Sequence, residues 1–315
     1  MKRAFVFPGQ GSQFIGMGKD LAENFLVARE VFEEVDDALS QSLSKMMFEG
    51  EESDLNLTEN TQPALMAVSV AVARILEKDM GIKIQKDNET AFVAGHSLGE
   101  YSALTAAGSI SLSESAGLLR TRGQAMQKAV PVGVGAMAAI LGLEYDDVSA
   151  IAAEASDSEV CAAANDNAFG QVVVSGHKQA VEKAIALASE KGAKRAVLLP
   201  VSAPFHCALM QPAADVMEEA LGKATILTPA VPLVANVTAE VVEDPELIRQ
   251  YLVQQVTGTV RWRESVLYMK ENGVSTLIEL GAGKVLSGLA RRIDRDLSAS
   301  SLGTVDSLES FAAAL

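Results

Sequence analysis

At 315 residues, 49% apolar and 21% charged, the chain has a globular composition and enough length for one large core with a smaller lobe rather than two full domains. A formal net charge of −15 sets up a field that repels nucleic acid and anionic membranes, so neither is an expected partner, and an acidic protein partner would need a local basic patch. Two cysteines, Cys161 and Cys207, are too few and too far apart for a disulfide framework or a metal-ligand spacing, which fits a reduced, cytoplasmic protein.

The first element, Ala4 to Phe7, is a short apolar run ended by Pro8-Gly9, a buried strand running into a loop rather than a signal peptide. The loop G-Q-G-S-Q follows. Leu65 to Leu76 carries apolar residues at helical spacing up to Gly81, and Ala91 to Ala94 forms a second strand before Gly95. A helix starts just after Ser97, and another spans about Ser113 to Lys128. From 136 to 199 the order changes to strand (Ala136–Leu141), helix (Asp146–Ala155), two strands (Val160–Ala164, Gln171–Ser175), helix (Lys178–Glu190) and strand (Ala196–Leu199). That βαββαβ order is the ferredoxin-like unit, bounded by the hinge-like runs V-P-V-G-V-G and P-V-S-A-P. Beyond it a strand, Thr276–Leu280, and a helix, Val285–Arg292, resume the α/β alternation. The expectation is an α/β fold: a parallel-sheet large domain over 1–130 and 200–315, with an inserted ferredoxin-like small domain over 131–199. No apolar run approaches the roughly 20 residues of a membrane helix.

Gly95, Ser97 and Gly99 form G-x-S-x-G between a strand and a helix. Glycines on both sides permit the tight turn that pushes a serine hydroxyl outward, and the helix start offers backbone N–H groups to a developing oxyanion. The competing interpretation is a capping box, Ser97 with Glu100. A nucleophilic serine needs a base, and the chain has three histidines. His96 adjoins the serine and, on strand-like backbone, would point the other way. His177 ends a strand of the small domain. Elimination favours His206, in the Pro-punctuated loop V-S-A-P-F-H-C. The carboxylates between Ser97 and His206, such as Asp146, Asp147 and Asp166, include none that stands out as a third member. Arg122 sits on the apolar stripe Leu118, Leu119, Ala125, Met126, so either its stem snorkels to solvent or its guanidinium finds an anion, a buried glutamate or a substrate carboxylate. The Gly9–Gln13 loop lacks a phosphate-binding lysine and is better suited to give a second N–H to an oxyanion hole.

As a set, F-V-F-P-G-Q-G-S-Q, T-Q-P-A-L, G-H-S-L-G-E-Y-S-A-L, R-G-x-x-M-Q, G-A-M-A-A-I, N-x-N before G-Q-V-V-V-S-G, P-V-S-A-P-F-H-C-A-L-M and G-K-V-L span nearly the whole chain. In these motifs the sequence resembles the malonyl-CoA:acyl carrier protein transacylases of bacterial fatty acid synthesis. The resemblance implies an α/β-hydrolase-like large domain, Ser97 as the acyl-bearing nucleophile and His206 as its base. It further implies that the N–H groups of Gln10 and Leu98 form the oxyanion hole and that the Gln255 carbonyl orients the histidine. Arg122 would take the malonyl carboxylate, Asn165 and Asn167 would lie beside the cofactor cleft, and Phe205 would help set the acyl group accepted. Thr259 and Ala282 stand where many relatives have proline.

The reaction so implied is ping-pong transfer from malonyl-CoA to the phosphopantetheine thiol of acyl carrier protein through a malonyl-serine ester, with no metal or bound cofactor. A monomer is expected. Acyl carrier protein is acidic, so Lys194 with Arg195, or Arg291 with Arg292, are candidate docking pairs. The rival functions are a serine hydrolase releasing the acyl group to water and a non-catalytic carrier-binding protein of the same fold.

Overall fold

The computed structural model describes residues 2–86 and 89–314. Among the described residues, ten strands follow one another along the chain: β1 (Lys2–Phe7), β2 (Thr90–Gly95), β3 (Gly135–Leu141), β4 (Cys161–Ala168), β5 (Gln171–His177), β6 (Arg195–Leu198), β7 (Leu233–Val234), β8 (Val241–Val242), β9 (Val274–Leu280) and β10 (Ser298–Leu302). They form two sheets. The larger has the order β10-β9-β1-β2-β7-β8, parallel throughout except for the β7–β8 edge. The C-terminal part of its central strand β1 is apolar on both sides because both faces of the sheet are covered. Ala4, Phe5, Val6 and Phe7 are fully buried, Phe5 and Phe7 on one face and Ala4 and Val6 on the other.

The smaller sheet is antiparallel, in the order β4-β5-β3-β6. The helices Tyr145–Ser156 and Lys178–Glu190 pack on one of its faces, burying Ile151, Ala152, Val181 and Ala184 against Ala138, Ile140, Val172 and Val174. This is the ferredoxin-like arrangement, so the protein is mixed α/β with a parallel-sheet core and a separate antiparallel sheet. The other face, carrying Met137 and Val173, turns toward the larger sheet and joins its core. A short segment stitches the two together: Val260 N donates to Ala164 O, Asp166 N to Val260 O, and Thr259 Oγ1 to Ala163 O. The Thr259 hydroxyl therefore ties down a loop where proline would have stiffened it.

Several elements run longer than their sequence patterns. The helix expected at Leu65–Leu76 spans Thr58–Lys78, with polar Asn60, Thr61 and Gln62 buried in its first turns, where apolar periodicity gave no signal. Strand β4 continues past Ala164 through Asn165, Asp166 and Asn167, poor strand formers held in place by the β5 ladder. Its pairing slips at Ala163/Asn165 and again at Asp166/Ala168, bulges of the kind that re-aim side chains.

Candidate active site

Strand β2 ends at Gly95 and the helix Gly99–Ala106 begins four residues later. A Cβ on Gly95 would lie 1.9 Å from the carbonyl carbon of Gly99, and one on Gly99 would lie 2.2 Å from the Phe7 carbonyl oxygen, so only glycine fits at either place. Between them Ser97 takes φ +53°, a left-handed conformation that serine adopts at a cost, which the surroundings must hold. Asn236, just beyond β7, does so: its Oδ1 accepts from Ser97 N at 2.8 Å while its Nδ2 donates to Gly95 O at 2.6 Å. With the Ser97 N–H engaged there, the next N–H along, that of Leu98, stands at the head of the helix with no carbonyl a turn behind it.

Strain at the turn lifts Ser97 Oγ into a cleft, where His206 Nε2 lies 2.8 Å away. His206 itself has φ +57° and is buried, and its Nδ1 bonds the main-chain carbonyl of Gln255 at 2.8 Å. That bond fixes the tautomer: Nδ1 carries the proton and Nε2 is left as the acceptor facing the hydroxyl. Burial, reinforced by the nearby Arg122 charge and opposed by the Gln255 carbonyl, pushes the imidazole down to about 3. The neutral base therefore persists at pH values where an exposed histidine would be protonated.

Arg122 projects from the helix Leu112–Ala129 into the same cleft, 1% exposed. Its Nη1 donates to Gln62 Oε1 at 2.9 Å, and its Nη2 to Gln255 Oε1 at 2.8 Å and to Ser97 Oγ at 3.1 Å. The Nε has no partner, and the Tyr101 ring lies 5.9 Å from the guanidinium carbon. All three acceptors are neutral, and no carboxylate makes an ion pair with Arg122 among the described residues. A buried cation without a contacting anion is expensive to hold, so the site is poised for an anionic group beside the serine.

The cleft has a volume of about 730 Å³ and lies between the two sheets. From loops and helices on the larger sheet's side come Gln10, His96, Ser97, Leu98, Arg122 and His206; Phe205, buried beside the histidine, also lines it. From the smaller come Met137, Asn165, Asn167 and Val173. Asn165 and Asn167 share one face of β4, while Asp166 between them turns away and pairs with Arg263 at 2.8 Å, far from any role beside His206. Asp146 and Asp147 lie in the first turn of a small-sheet helix. The imidazole is oriented by a carbonyl, not a carboxylate. Among the described residues, no group of three His, Cys, Asp or Glu side chains is placed to hold a metal ion.

Two expectations change. No capping box forms at Ser97: its hydroxyl bonds His206, and the Glu100 carboxylate accepts instead from Gln255 Nε2 at 2.6 Å and Asn236 N at 3.3 Å. His96 does not leave the cleft, because the left-handed turn at Ser97 ends the strand alternation; its Nε2 meets Asn167 Oδ1 at 2.8 Å. The two basic pairs prove to be neighbours rather than alternatives. Arg292 donates to Gln171 Oε1 at 2.6 Å, and the ladder sets Gln171 beside Leu141 and Leu141 beside Arg195. Lys194, Arg195 and Arg292 are exposed there, while Arg291, also exposed, lines a depression with Arg295, Leu297, Ser298 and Ala299. Gln62, Asn236 and the Gln255 side chain escaped sequence reasoning; a lone amide in an apolar stretch such as V-P-L-V-A-N carries no local pattern.

A family model described as acyl transferase domain matches residues 4–300. The chain is 45% identical over 309 residues to the malonyl CoA-acyl carrier protein transacylase of Bacillus subtilis strain 168, covering 98% of this chain and 95% of that one. It is similar to the crystal structure of acyl-carrier-protein-S-malonyltransferase from Bartonella henselae at 57% identity, with a TM-score of 0.96 over 100% of this chain and 99% of the other. A third match is a malonyl-transacylase solved in complex with its type II PKS acyl carrier protein, at 42% identity and a TM-score of 0.95 over 100% of both chains.

Proposed function

The chain belongs to the acyl transferase family, and from that premise we propose that it carries a malonyl group from malonyl-CoA to acyl carrier protein as an ester on Ser97. The observation that carries this is the position of Ser97 Oγ, bonded at once by a neutral imidazole and by a buried guanidinium lacking an anion. His206 Nε2 takes the hydroxyl proton as Oγ attacks the thioester carbonyl, and the tetrahedral oxyanion is met by the N–H groups of Leu98 and Gln10. The imidazolium, steadied by the Gln255 carbonyl, returns its proton to the departing CoA thiolate. Arg122 keeps its amide acceptors and gives up the bond to Ser97 Oγ for the malonyl carboxylate, a charge-assisted pair that an acetyl group cannot make. In the second half the carrier's phosphopantetheine thiol gives its proton to His206 and attacks the ester, regenerating Ser97.

Asn165 and Asn167 face the cleft from the other side, where the pantetheine chain common to both substrates would lie. Phe205 closes the acyl end. The whole constellation comes from one chain, which suits a monomer, and no step calls on a bound cofactor. We take residues 131–199 as the small domain. The acidic carrier would dock on Lys194, Arg195, Arg291 and Arg292. Leu141, within that patch, lies on the same strand face as cleft-lining Met137, four residues or about 13 Å away, so a carrier seated there reaches the cleft along the sheet. Buried thiols at Cys161 and Cys207 fit a cytoplasmic protein working in fatty acid synthesis.

Intact-protein mass spectrometry tests the core of this reading. Mixed with malonyl-CoA, the protein should gain one malonyl group on Ser97 and lose it on adding acyl carrier protein; Ser97→Ala should gain none. Acylation at another residue, or free malonate as the dominant product in the presence of carrier, refutes it.

A further inference from the structure

One buried carboxylate beside the reacting groups has no part in the steps above. Glu100, in the first turn of the helix Gly99–Ala106, is 1% exposed, and burial pushes its carboxyl up to about 7 against the hydrogen bonds that favour its charge. Its Oε2 accepts from Gln255 Nε2 and from Asn236 N. The charged and titratable groups facing it are Arg122, which acts through space, and the neighbouring Tyr101.

Gln255 is the junction of the site. Its main-chain carbonyl holds His206 Nδ1, its Nε2 donates to Ser97 O at 3.0 Å as well as to Glu100, and its Oε1 accepts from Arg122. The two ends of that amide are nearly the same shape and opposite in chemistry, so the neighbours decide which faces the guanidinium. Turned round, the NH2 would meet Arg122 Nη2 donor to donor, and the oxygen would meet the Ser97 carbonyl and the Glu100 carboxylate, acceptor to acceptor. An ionised carboxylate can only accept, which closes off the turned arrangement.

We propose that Glu100 is a positioning residue for malonyl selectivity: by accepting from Gln255 Nε2 it keeps Gln255 Oε1 on Arg122 and so holds the guanidinium against Ser97. The proposal rests on the reading of Arg122 as the partner of the malonyl carboxylate. Small displacements of such a group are felt strongly in transfer of the substrate it orients and weakly in transfer of one it does not touch.

The test is kcat/KM for malonyl-CoA and for acetyl-CoA in the wild type, Glu100→Gln, Glu100→Leu, Gln255→Leu, Arg122→Ala and the Glu100→Gln/Arg122→Ala pair, with folding checked by thermal melting. Gln255→Leu keeps the main-chain carbonyl and removes only the amide. The malonyl-to-acetyl ratio should fall about three- to tenfold in Glu100→Gln and further in Gln255→Leu, and the double variant should match Arg122→Ala alone, as coupled neighbours do. If Glu100→Leu fails to fold, the isosteric Glu100→Gln decides. A collapse of the ratio in Arg122→Ala with no change in Glu100→Gln overturns this proposal and leaves the Arg122 reading intact. An unchanged ratio in Arg122→Ala refutes that reading first. Equal losses for both substrates in Glu100→Gln show a merely structural role and also overturn it.

Discussion

The two walls of the cleft are built on different terms. The larger-sheet wall is strained and tightly tied: two non-glycine residues, Ser97 and His206, sit at positive φ, and Asn236 and Gln255, from distant stretches of chain, bond the Ser97 main chain and the His206 ring. The small-sheet wall has little of this. Its strand β4 is bulged twice, Asn165 and Asn167 project from it, and a side-chain bond from His96 to Asn167 spans the cleft. Bond making sits where positive-φ residues are held by several partners, and the cleft is completed by a wall whose ties, at Val260, Thr259 and Arg263, lie away from the reacting groups. This division suits two successive acyl partners, CoA and a carrier protein, that use the same serine but differ outside it.

The largest effect is expected at a glycine of the larger-sheet wall. Gly95→Ala forces a methyl into the Gly99 main chain, and since neither strand nor helix can yield without moving Ser97, stability should drop by about 3 kcal/mol or more and acylation by at least about a hundredfold. Gly170→Ala, in the β4–β5 hairpin, meets nothing closer than 3.6 Å and bears only the strain of φ +65°. That change should cost about 1 kcal/mol and barely alter acylation. Denaturant melts and single-turnover mass spectrometry compare the two; equal damage would erase the distinction between the walls.

On the other wall, Asn167→Ala removes a single hydrogen bond and leaves His96 Nε2 facing the cleft. A net loss of about 1 kcal/mol corresponds to roughly a fivefold rise in KM for malonyl-CoA, with kcat changed less than KM. Steady-state kinetics with both acyl-CoA and carrier varied would show it. A kcat collapse on the scale of Gly95→Ala would mean that Asn167 belongs with the reacting groups.

How far the site could be read from sequence follows the same division. Ser97 was visible because glycine spacing, a preceding strand and a following helix are all local, and Arg122 because a charge on an apolar stripe is anomalous within one helix. The Gln255 carbonyl emerged only through family resemblance, since a backbone acceptor has no side-chain signature. Asn236, Gln62 and Glu100 stayed hidden because their work is done across separations of 139, 60 and 155 residues, set by the fold and absent from any window of sequence. In the fold, the βαββαβ order was legible from alternating periods, whereas the polar end of β4 was not, its Asn and Asp being held by ladder pairing against their own propensity.

The smallest expected effect is an absence of change, and it probes how dry the larger-sheet wall is. A histidine at the ordinary 6.5 would lose about tenfold of its base form on acidification to pH 5.5. His206, lowered to about 3 by burial and the Arg122 charge, stays neutral throughout that window, so acylation by acetyl-CoA should vary by less than about twofold between pH 8 and 5.5. Acetyl-CoA is the cleaner probe: Glu100, raised to about 7, titrates in the same window, and in the roles proposed above it acts through Arg122, which acetyl would not engage. A malonyl profile that steps near neutrality while the acetyl profile stays flat, with the step removed by Glu100→Gln, assigns that step to Glu100. An acid limb near 6.5 with both substrates would mean that water reaches His206, and that the wall holding the reactive serine is no drier than the one opposite.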